Sequence, residues 1–215
     1  MDNPPETTLV SLIVDGSSAR VELAREDKYN AMNVMMITEL IEIFEWTAER
    51  SAGRQDALLD SNGNQYLRTL VLSGKGRHFC AGADINMMRD AGANTPEENR
   101  KDSERLDRLF NGLWSHPCFT IGAIQGVALG GGAGLIACLD YVIGTQDVKI
   151  ALSLKRSWEF SQQLSALTFT EESAPLTSVV WPCKRVESRQ KKHFESDLLN
   201  ELSMIKMRLQ KPLPQ

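Results

Sequence analysis

The chain has 215 residues, of which 42% are hydrophobic and 24% are charged, and its formal net charge is −4. This size and composition are typical of a globular protein with one sizeable core, and the slightly acidic balance argues against nucleic acid as a partner. The four cysteines and three histidines lack CxxC, HxxxH or HExxH spacing. We therefore expect reduced thiols and no metal site.

The N-terminal segment MDNPPETT is acidic and contains proline, which is opposite to a signal or transit peptide. The longest apolar stretch, residues 127–144, is broken by a glycine cluster and by Asp140, so it does not have the pattern of a membrane span. These features predict a cytoplasmic protein that does not bind membranes.

The first half of the chain predicts a hairpin, a helix and a loop. Residues 9–14 are β-rich, Asp15-Gly16 is a turn signal, and residues 19–23 alternate polar and apolar. Residues 32–50 then change to a helical period, with apolar side chains on one face. The polar, glycine-bearing residues 51–66 predict a surface loop.

The middle of the chain alternates predicted strands and helices. Residues 69–73 and 119–124 have the pattern of buried strands, and the charged residues 97–114 predict a mostly solvated helix. A glycine turn, an apolar helix to residue 139 and a strand at 141–143 follow. This alternation predicts an α/β fold.

Two segments of small residues stand out because each follows a predicted strand. The first is GRHFCAGADI at 76–85, and the second is QGVALGGGAGL at 125–135. Small residues let the backbone approach a ligand closely, and glycines at a helix start expose N–H groups at the positive end of the helix dipole. Two such loops side by side can direct two N–H groups at one developing oxyanion.

Either segment alone supports this interpretation only weakly. A glycine-rich turn between a strand and a helix is more often a phosphate loop or a site of tight packing. The occurrence of both segments, in this order and each after a predicted strand, is a more specific indication of an oxyanion hole.

The same segments resemble the crotonase (enoyl-CoA hydratase/isomerase) superfamily, whose members bind acyl-CoA thioesters. The resemblance covers about residues 8–153 and is greatest to methylglutaconyl-CoA hydratases, because AGADINMM is paired with GGGAGL. It implies a core of residues 1–153 with the family's spiral of ββα repeats. Residues 154–215 are divergent and match the family poorly.

The resemblance also implies roles for individual residues. The thioester carbonyl oxygen would accept hydrogen bonds from the backbone N–H groups of Ala83 and Gly131. No cofactor is implied, since CoA is part of the substrate. The implied substrate-binding residues are Lys28, Tyr29, Ala31, Ala81, Gly82, Asp84, Ile85 and Gly130. Of these, Ala81 would offer its carbonyl to the adenine amino group and Lys28 would reach the CoA phosphates.

The glutamates that the family uses for acid–base chemistry are missing here. The two expected positions hold Gly134 and Leu154, so no acid–base residue is retained. By default, Asp84 is interpreted as a structural turn acid. The family forms homotrimers or hexamers through C-terminal helices, and with a divergent C-terminal region we expect assembly to be impaired.

The change at residue 154 has a simple genetic interpretation. If residues 154–169 are read in a shifted frame, their codons permit EAKLGVFPATISPYV, which after the preceding ALS restores the family's next segment. We hypothesise a frameshift, or an error in the deduced sequence, near codon 153. Bases incompatible with SEAKLG in the alternative frame would refute it.

Three functions follow from these observations. The first is hydration of a 2-enoyl-CoA, such as a methylglutaconyl-CoA-like substrate, with the enolate stabilised by the oxyanion hole. The second is binding of a CoA ester by a catalytically impaired chain. The third, a dinucleotide-binding oxidoreductase, fits poorly because Leu135 stands where GxGxxG requires its third glycine.

Overall fold

The structure is a computed structural model, and it describes residues 3–52, 58–151 and 178–179. The divergent segment from residue 154 onward lies outside the described residues, apart from the backbone of residues 178–179. The described elements, in chain order, are β1 (Val10–Asp15), β2 (Ser18–Leu23), a 3-10 turn (Glu26–Lys28), α1 (Val34–Glu49), β3 (Thr69–Gly74), α2 (Ile85–Ala91), α3 (Pro96–Trp114), β4 (Phe119–Ile124), β5 (Val127–Leu129), α4 (Gly131–Ala137), β6 (Tyr141–Gly144), β7 (Lys149–Ala151) and β8 (Ser178–Val179).

The main sheet has the strand order β1-β2-β3-β4-β6-β8, and β5 and β7 form a separate two-stranded parallel sheet. The β1–β2 hairpin is antiparallel, and the steps from β2 through β3 and β4 to β6 are all parallel. Each parallel step is connected through a helix, as a crossover requires. The mixed α/β architecture predicted from the sequence is therefore confirmed.

The core lies mainly between the sheet and the helices α1 and α3. Leu70 and Leu72 of β3 are in the large cluster with Phe44 of α1 and Leu113 of α3. The intervening Val71 faces the other side of the sheet, in a smaller apolar cluster. Burial on both faces explains why β3 is a continuous apolar run and not an alternating one.

Helix α1 begins two residues later than predicted. Asn33 is its N-cap and accepts the Met36 N–H at 2.9 Å, a residue type that favours this position because its side chain satisfies an otherwise free amide. Met32 instead pairs with Ala83 in an isolated parallel bridge. Met32, whose apolar side chain extended the predicted helix, is therefore part of the junction of loops described below.

Helix α4 is shorter than predicted, and helix α2 was not predicted. The apolar period runs to residue 139, but α4 ends at Ala137 and residue 138 is its C-cap. Helix α2 has only 7 residues and none of them is buried. It has no amphipathic period to detect, and the local signal for its start is the N-cap Asp84, which we interpreted from the sequence as a turn acid.

A buried carboxylate fixes the start of the hairpin on α1. Glu39 is 7% exposed, and its carboxylate accepts the backbone N–H groups of Thr8, Leu9 and Val10 at 2.8 to 3.0 Å. These bonds satisfy the amides of the two residues before β1 and of its first residue. Among the helices of the described part, none is long and apolar enough to cross a membrane.

Candidate functional site

Three loops meet at one end of the parallel strands: residues 25–33 after β2, residues 78–85 after β3, and residues 125–131 around β5. The 78–85 loop lies between the other two and pairs with both of them. Met32 forms a parallel bridge with Ala83, and Cys80 forms another with Ala128. The topology therefore brings together the segments that were predicted to carry the chemistry.

The 25–33 loop is shaped by two residues in the left-handed region. Tyr29 has φ 52° and Asn30 has φ 54°, a conformation that asparagine tolerates better than most residues. The buried Asn30 side chain donates to the carbonyls of Lys75 and His78 at 2.9 and 2.8 Å. Sequence reasoning missed Asn30 as the residue that joins this loop to the next one.

Backbone hydrogen bonds complete the junction between the loops. The Met32 N–H donates to the Gly82 carbonyl at 2.7 Å, and the Leu129 N–H donates to the Cys80 carbonyl at 2.9 Å. The Ala81 N–H donates to the Tyr29 carbonyl at 2.9 Å. The three loops thus form one hydrogen-bonded unit.

The small residues are required where the loops touch. Gly82 has φ 94°, and a Cβ placed there would lie 2.8 Å from the Leu129 carbonyl oxygen. A Cβ at Gly132 would lie 2.6 Å from the Cys80 carbonyl oxygen. Because backbone atoms cannot move aside cheaply, any side chain here would separate the loops.

Two backbone amides at this junction have no acceptor in the described part of the chain. Within residues 3–52 and 58–151, no acceptor is hydrogen-bonded to the N–H of Ala83 or to the N–H of Gly131. Gly131 is the first residue of α4, where helical geometry leaves amides free. The preceding Gly130 has φ 49° and donates its N–H to the Ala151 carbonyl at 2.8 Å.

The other predicted binding residues lie on or beside this junction. Lys28 ends the 3-10 turn and is exposed. Tyr29 is 60% exposed and meets the His78 ring edge-on, with 5.2 Å between the ring centroids. Ile85 is 81% exposed at the start of α2, and Ala31 accepts a hydrogen bond from Arg25 through its carbonyl oxygen.

Asp84 is held by protein groups. Its carboxylate accepts one hydrogen bond from Arg25 at 2.7 Å and another from the Asn86 N–H at 2.8 Å. The second bond makes Asp84 the N-cap of α2. The Arg25 guanidinium, followed by the Asn86 amide, lowers the pKa of Asp84 below its usual range. A carboxylate stabilised in its charged form is a poor proton acceptor, which favours the structural interpretation of Asp84.

Neither expected acid–base position supplies a carboxylate in the described part of the chain. A Cβ at Gly134 would lie 2.9 Å from Cε1 of Phe110, so the Phe110 ring occupies the space beside this position. Leu154 lies outside the described residues. Burial raises the pKa of the nearby Cys80 thiol to about 11, so this thiol remains protonated near neutral pH.

The geometry does not favour the alternative ligands considered above. The dinucleotide fingerprint connects a strand of the main parallel sheet to a helix, whereas α4 follows β5 of the two-stranded sheet. Among the described residues, no group of three or more histidine, cysteine or acidic side chains is placed to hold a metal ion.

Comparison with known proteins is consistent with this geometry. The sequence model described as "Enoyl-CoA hydratase/isomerase" matches residues 15–157. A crystal structure of an enoyl-CoA hydratase from Shewanella pealeana superposes with a TM-score of 0.58 at 32% identity, covering 67% of this chain and 49% of that chain.

Two curated relatives are similar over shorter shares of their length. The fatty acid oxidation complex subunit alpha of Aliivibrio fischeri is 38% identical over 90 residues, which is 41% of this chain and 13% of the relative. The enoyl-CoA hydratase ACTT6 of Alternaria alternata is 27% identical over 143 residues, 66% of this chain and 41% of the relative. The chain thus spans less than half the length of these relatives. On the sequence match and the shared fold, this chain belongs to the enoyl-CoA hydratase/isomerase family, within the crotonase superfamily.

Proposed function

We propose that the chain binds an acyl-CoA thioester and polarises its carbonyl through the backbone N–H groups of Ala83 and Gly131. The observation that carries the proposal is the pair of amides that lack an acceptor in the described residues, on loops locked together by the pairing of Cys80 with Ala128. Two preorganised N–H donors stabilise negative charge on a carbonyl oxygen without rearranging when the charge develops.

The surroundings of these amides suit a CoA ester. Ile85 and Met88 on α2, with Tyr29 and Met35, expose apolar surface around the loops. Lys28 adds a cation at their edge, and the Ala81 carbonyl accepts no hydrogen bond within residues 3–52 and 58–151. We propose that Lys28 meets the CoA phosphates and that the Ala81 carbonyl meets the adenine amino group.

The proposed reaction is syn addition of water across the double bond of a 2-enoyl-CoA, with methylglutaconyl-CoA-like thioesters as the substrate class. No cofactor is needed, because CoA is part of the substrate. The oxyanion hole stabilises the enolate, but water activation also needs a carboxylate, which contributes about 10²–10⁴-fold in rate. Positions 134 and 154 provide none.

A second candidate function is therefore binding of CoA esters without turnover. The specific observation in its favour is the Phe110 ring beside Gly134, in the place where a longer side chain would have to lie. Under this proposal the thioester is bound and polarised, and the reaction stops there.

Two measurements separate these functions. Crotonyl-CoA should raise the melting temperature of the purified chain, whereas NAD should not; no stabilisation by any CoA ester would refute both functions. Loss of the enoyl-thioester absorbance of crotonyl-CoA then distinguishes hydration from binding alone. The same absorbance assay with 3-methylglutaconyl-CoA tests the substrate class.

A further inference from the structure

Arg25 lies beneath the junction of the loops and contacts two of them. Its Nη1 donates to the Ala31 carbonyl at 2.8 Å and to Asp84 Oδ2 at 2.7 Å. The Arg25 and Asp84 side chains are only 16% and 9% exposed. Its backbone N–H also donates to Asn30 Oδ1 at 2.9 Å. Arg25 thus restrains the 25–33 loop through both its own main chain and its own side chain.

Asp84 transmits this restraint to its neighbour Ala83. The Asp84 N–H donates to the Met32 carbonyl at 2.9 Å, and the Met32 N–H donates to the Gly82 carbonyl at 2.7 Å. Ala83 is therefore held on both sides by residues bonded to Met32. The Ala83 amide has no acceptor of its own in residues 3–52 and 58–151, so its direction is set by these flanking bonds.

The chemistry of the Arg25–Asp84 pair supports a positioning function. Capping α2 requires only that Asp84 accept the Asn86 N–H through Oδ1. The second oxygen is used for a nearly buried ion pair, and such pairs need good geometry because desolvation offsets much of their attraction. Their best-attested benefit is to specify one arrangement of the groups they join.

We propose that Arg25 is a positioning residue that, through Asp84 and the Met32 pairing, directs the Ala83 N–H toward the thioester oxygen. This inference rests on the proposed function of Ala83 and goes beyond it, because Arg25 itself touches neither the thioester nor its reacting atoms. Its removal should weaken polarisation of the carbonyl more than it weakens binding of the CoA moiety.

The test uses two CoA probes with the full chain. Crotonyl-CoA labelled with ¹³C at the carbonyl reports polarisation as a downshift of the carbonyl stretching frequency in infrared difference spectra. S-butyl-CoA, a thioether without a carbonyl, reports binding of the CoA moiety alone. The variants are Arg25→Met, Asp84→Asn and the double variant. The control is Arg108→Met, which removes an exposed ion pair with Glu45 between α1 and α3.

We expect Arg25→Met to reduce the downshift and to weaken crotonyl-CoA binding about tenfold, the equivalent of one charge-assisted hydrogen bond. Its affinity for S-butyl-CoA should fall by a smaller factor, because the Arg25 main-chain bond to Asn30 still restrains the 25–33 loop that carries Lys28. The double variant should be no worse than the worse single variant, because both side chains act through one link. Arg108→Met should resemble the wild type.

The outcomes distinguish the two proposals. If crotonyl-CoA bound to the wild type shows no downshift, the oxyanion hole itself is refuted. If the wild type shows the downshift and folded Arg25→Met shows the same downshift and affinity, the Arg25 proposal is refuted. Should Arg25→Met fail to fold in a melting experiment, Asp84→Asn carries the same test, since an asparagine retains the oxygen that caps α2.

Discussion

Gly82 is a residue at which the 78–85 and 125–131 loops approach each other closely through their backbones. It combines a positive φ with a neighbouring carbonyl oxygen at the place of its missing Cβ. The positive φ is a constraint on the backbone of the residue itself, and the nearby carbonyl oxygen is a constraint from packing against another segment. A second glycine, Gly63, has φ 81° and no atom within 4 Å of its missing Cβ, so it isolates the first constraint.

We expect Gly63→Ala to lower the free energy of unfolding by about 1 kcal/mol, the cost of a side chain in a left-handed conformation. Gly82→Ala should cost about 1–3 kcal/mol more, because overpacking against backbone is added. Urea unfolding measures both values. Only Gly82→Ala should also weaken crotonyl-CoA binding; equal losses in stability and binding for the two variants would contradict the assigned loop contact.

Asp84 makes a pH-dependent contribution to stability. Its pKa is lowered in the folded protein by the Arg25 guanidinium and the Asn86 amide, from an ordinary value of 3.8. The stabilisation is therefore complete above about pH 4 and is lost as the pH falls through the lowered folded-state pKa. We expect the stability gap between the wild type and Asp84→Asn to be constant from pH 6 to 8 and to shrink below pH 4.

Urea unfolding at a series of pH values measures this gap. Asp90→Asn, which removes an exposed carboxylate from the same helix, controls for loss of charge and should change stability by less than about 0.5 kcal/mol at neutral pH. A gap for Asp84→Asn that persists unchanged at pH 3 would show that the ion pair with Arg25 does not stabilise the charged form.

At the scale of elements, the packing of α3 against α4 determines what position 134 can accommodate. Gly134 lies inside α4, where alanine would ordinarily be more stable than glycine. Here the Phe110 ring of α3 lies 2.9 Å from the missing Cβ. Helix propensity therefore favours alanine at position 134, whereas packing against Phe110 favours glycine.

We expect Gly134→Ala to destabilise the wild type and to stabilise the Phe110→Ala variant by about 0.5–1 kcal/mol, the helical advantage of alanine over glycine. A double-mutant cycle of thermal or urea unfolding measures the change of sign. Stabilisation in both backgrounds would mean that the Phe110 ring moves aside without cost, and destabilisation in both would mean that another contact opposes a side chain at position 134.

At the scale of the whole molecule, the loops that we propose to bind an acyl-CoA are present, whereas positions 134 and 154 hold glycine and leucine in place of the expected glutamates. The frameshift hypothesis predicts that a corrected gene, encoding ALSEAKLGVFPATISPYV from residue 151, regains the base. We expect that chain to hydrate crotonyl-CoA about 10²–10⁴-fold faster than the present one. The control is the corrected chain with its first restored glutamate changed to glutamine, and equal rates for all three would refute the hypothesis.

Assembly provides a second whole-molecule test. The resemblance implies that members of the family form trimers and hexamers through their C-terminal helices. Residues 154–215 of this chain match the family poorly. We therefore expect the present chain to elute as a monomer in size-exclusion chromatography with light scattering, and the frame-corrected chain to gain mass if its C-terminal helices are also restored. A trimer of the present chain would contradict this expectation.

Much of the architecture could be predicted from local pattern. The strand at 69–73 and the helix at 97–114 were predicted to within a residue, because the first is a short apolar run that ends at glycine and the second is a long charged segment with a helical period. The short helix α2, the start of α1 and the end of α4 were missed or misplaced. In these places a capping side chain or a contact between loops outweighs the hydrophobic period.

By itself, the sequence determined the α/β class, the family and the two small-residue segments, because periodicity and glycine content are local properties. Only the tertiary structure decided that Met32 pairs with Ala83, that Arg25 reaches Asp84, and that Phe110 fills the space at Gly134. These contacts join residues between 24 and 59 positions apart, and such partners are chosen by sheet order and packing. The direction of the Ala83 amide is therefore a property of the fold, although the residues that allow it are visible in the sequence.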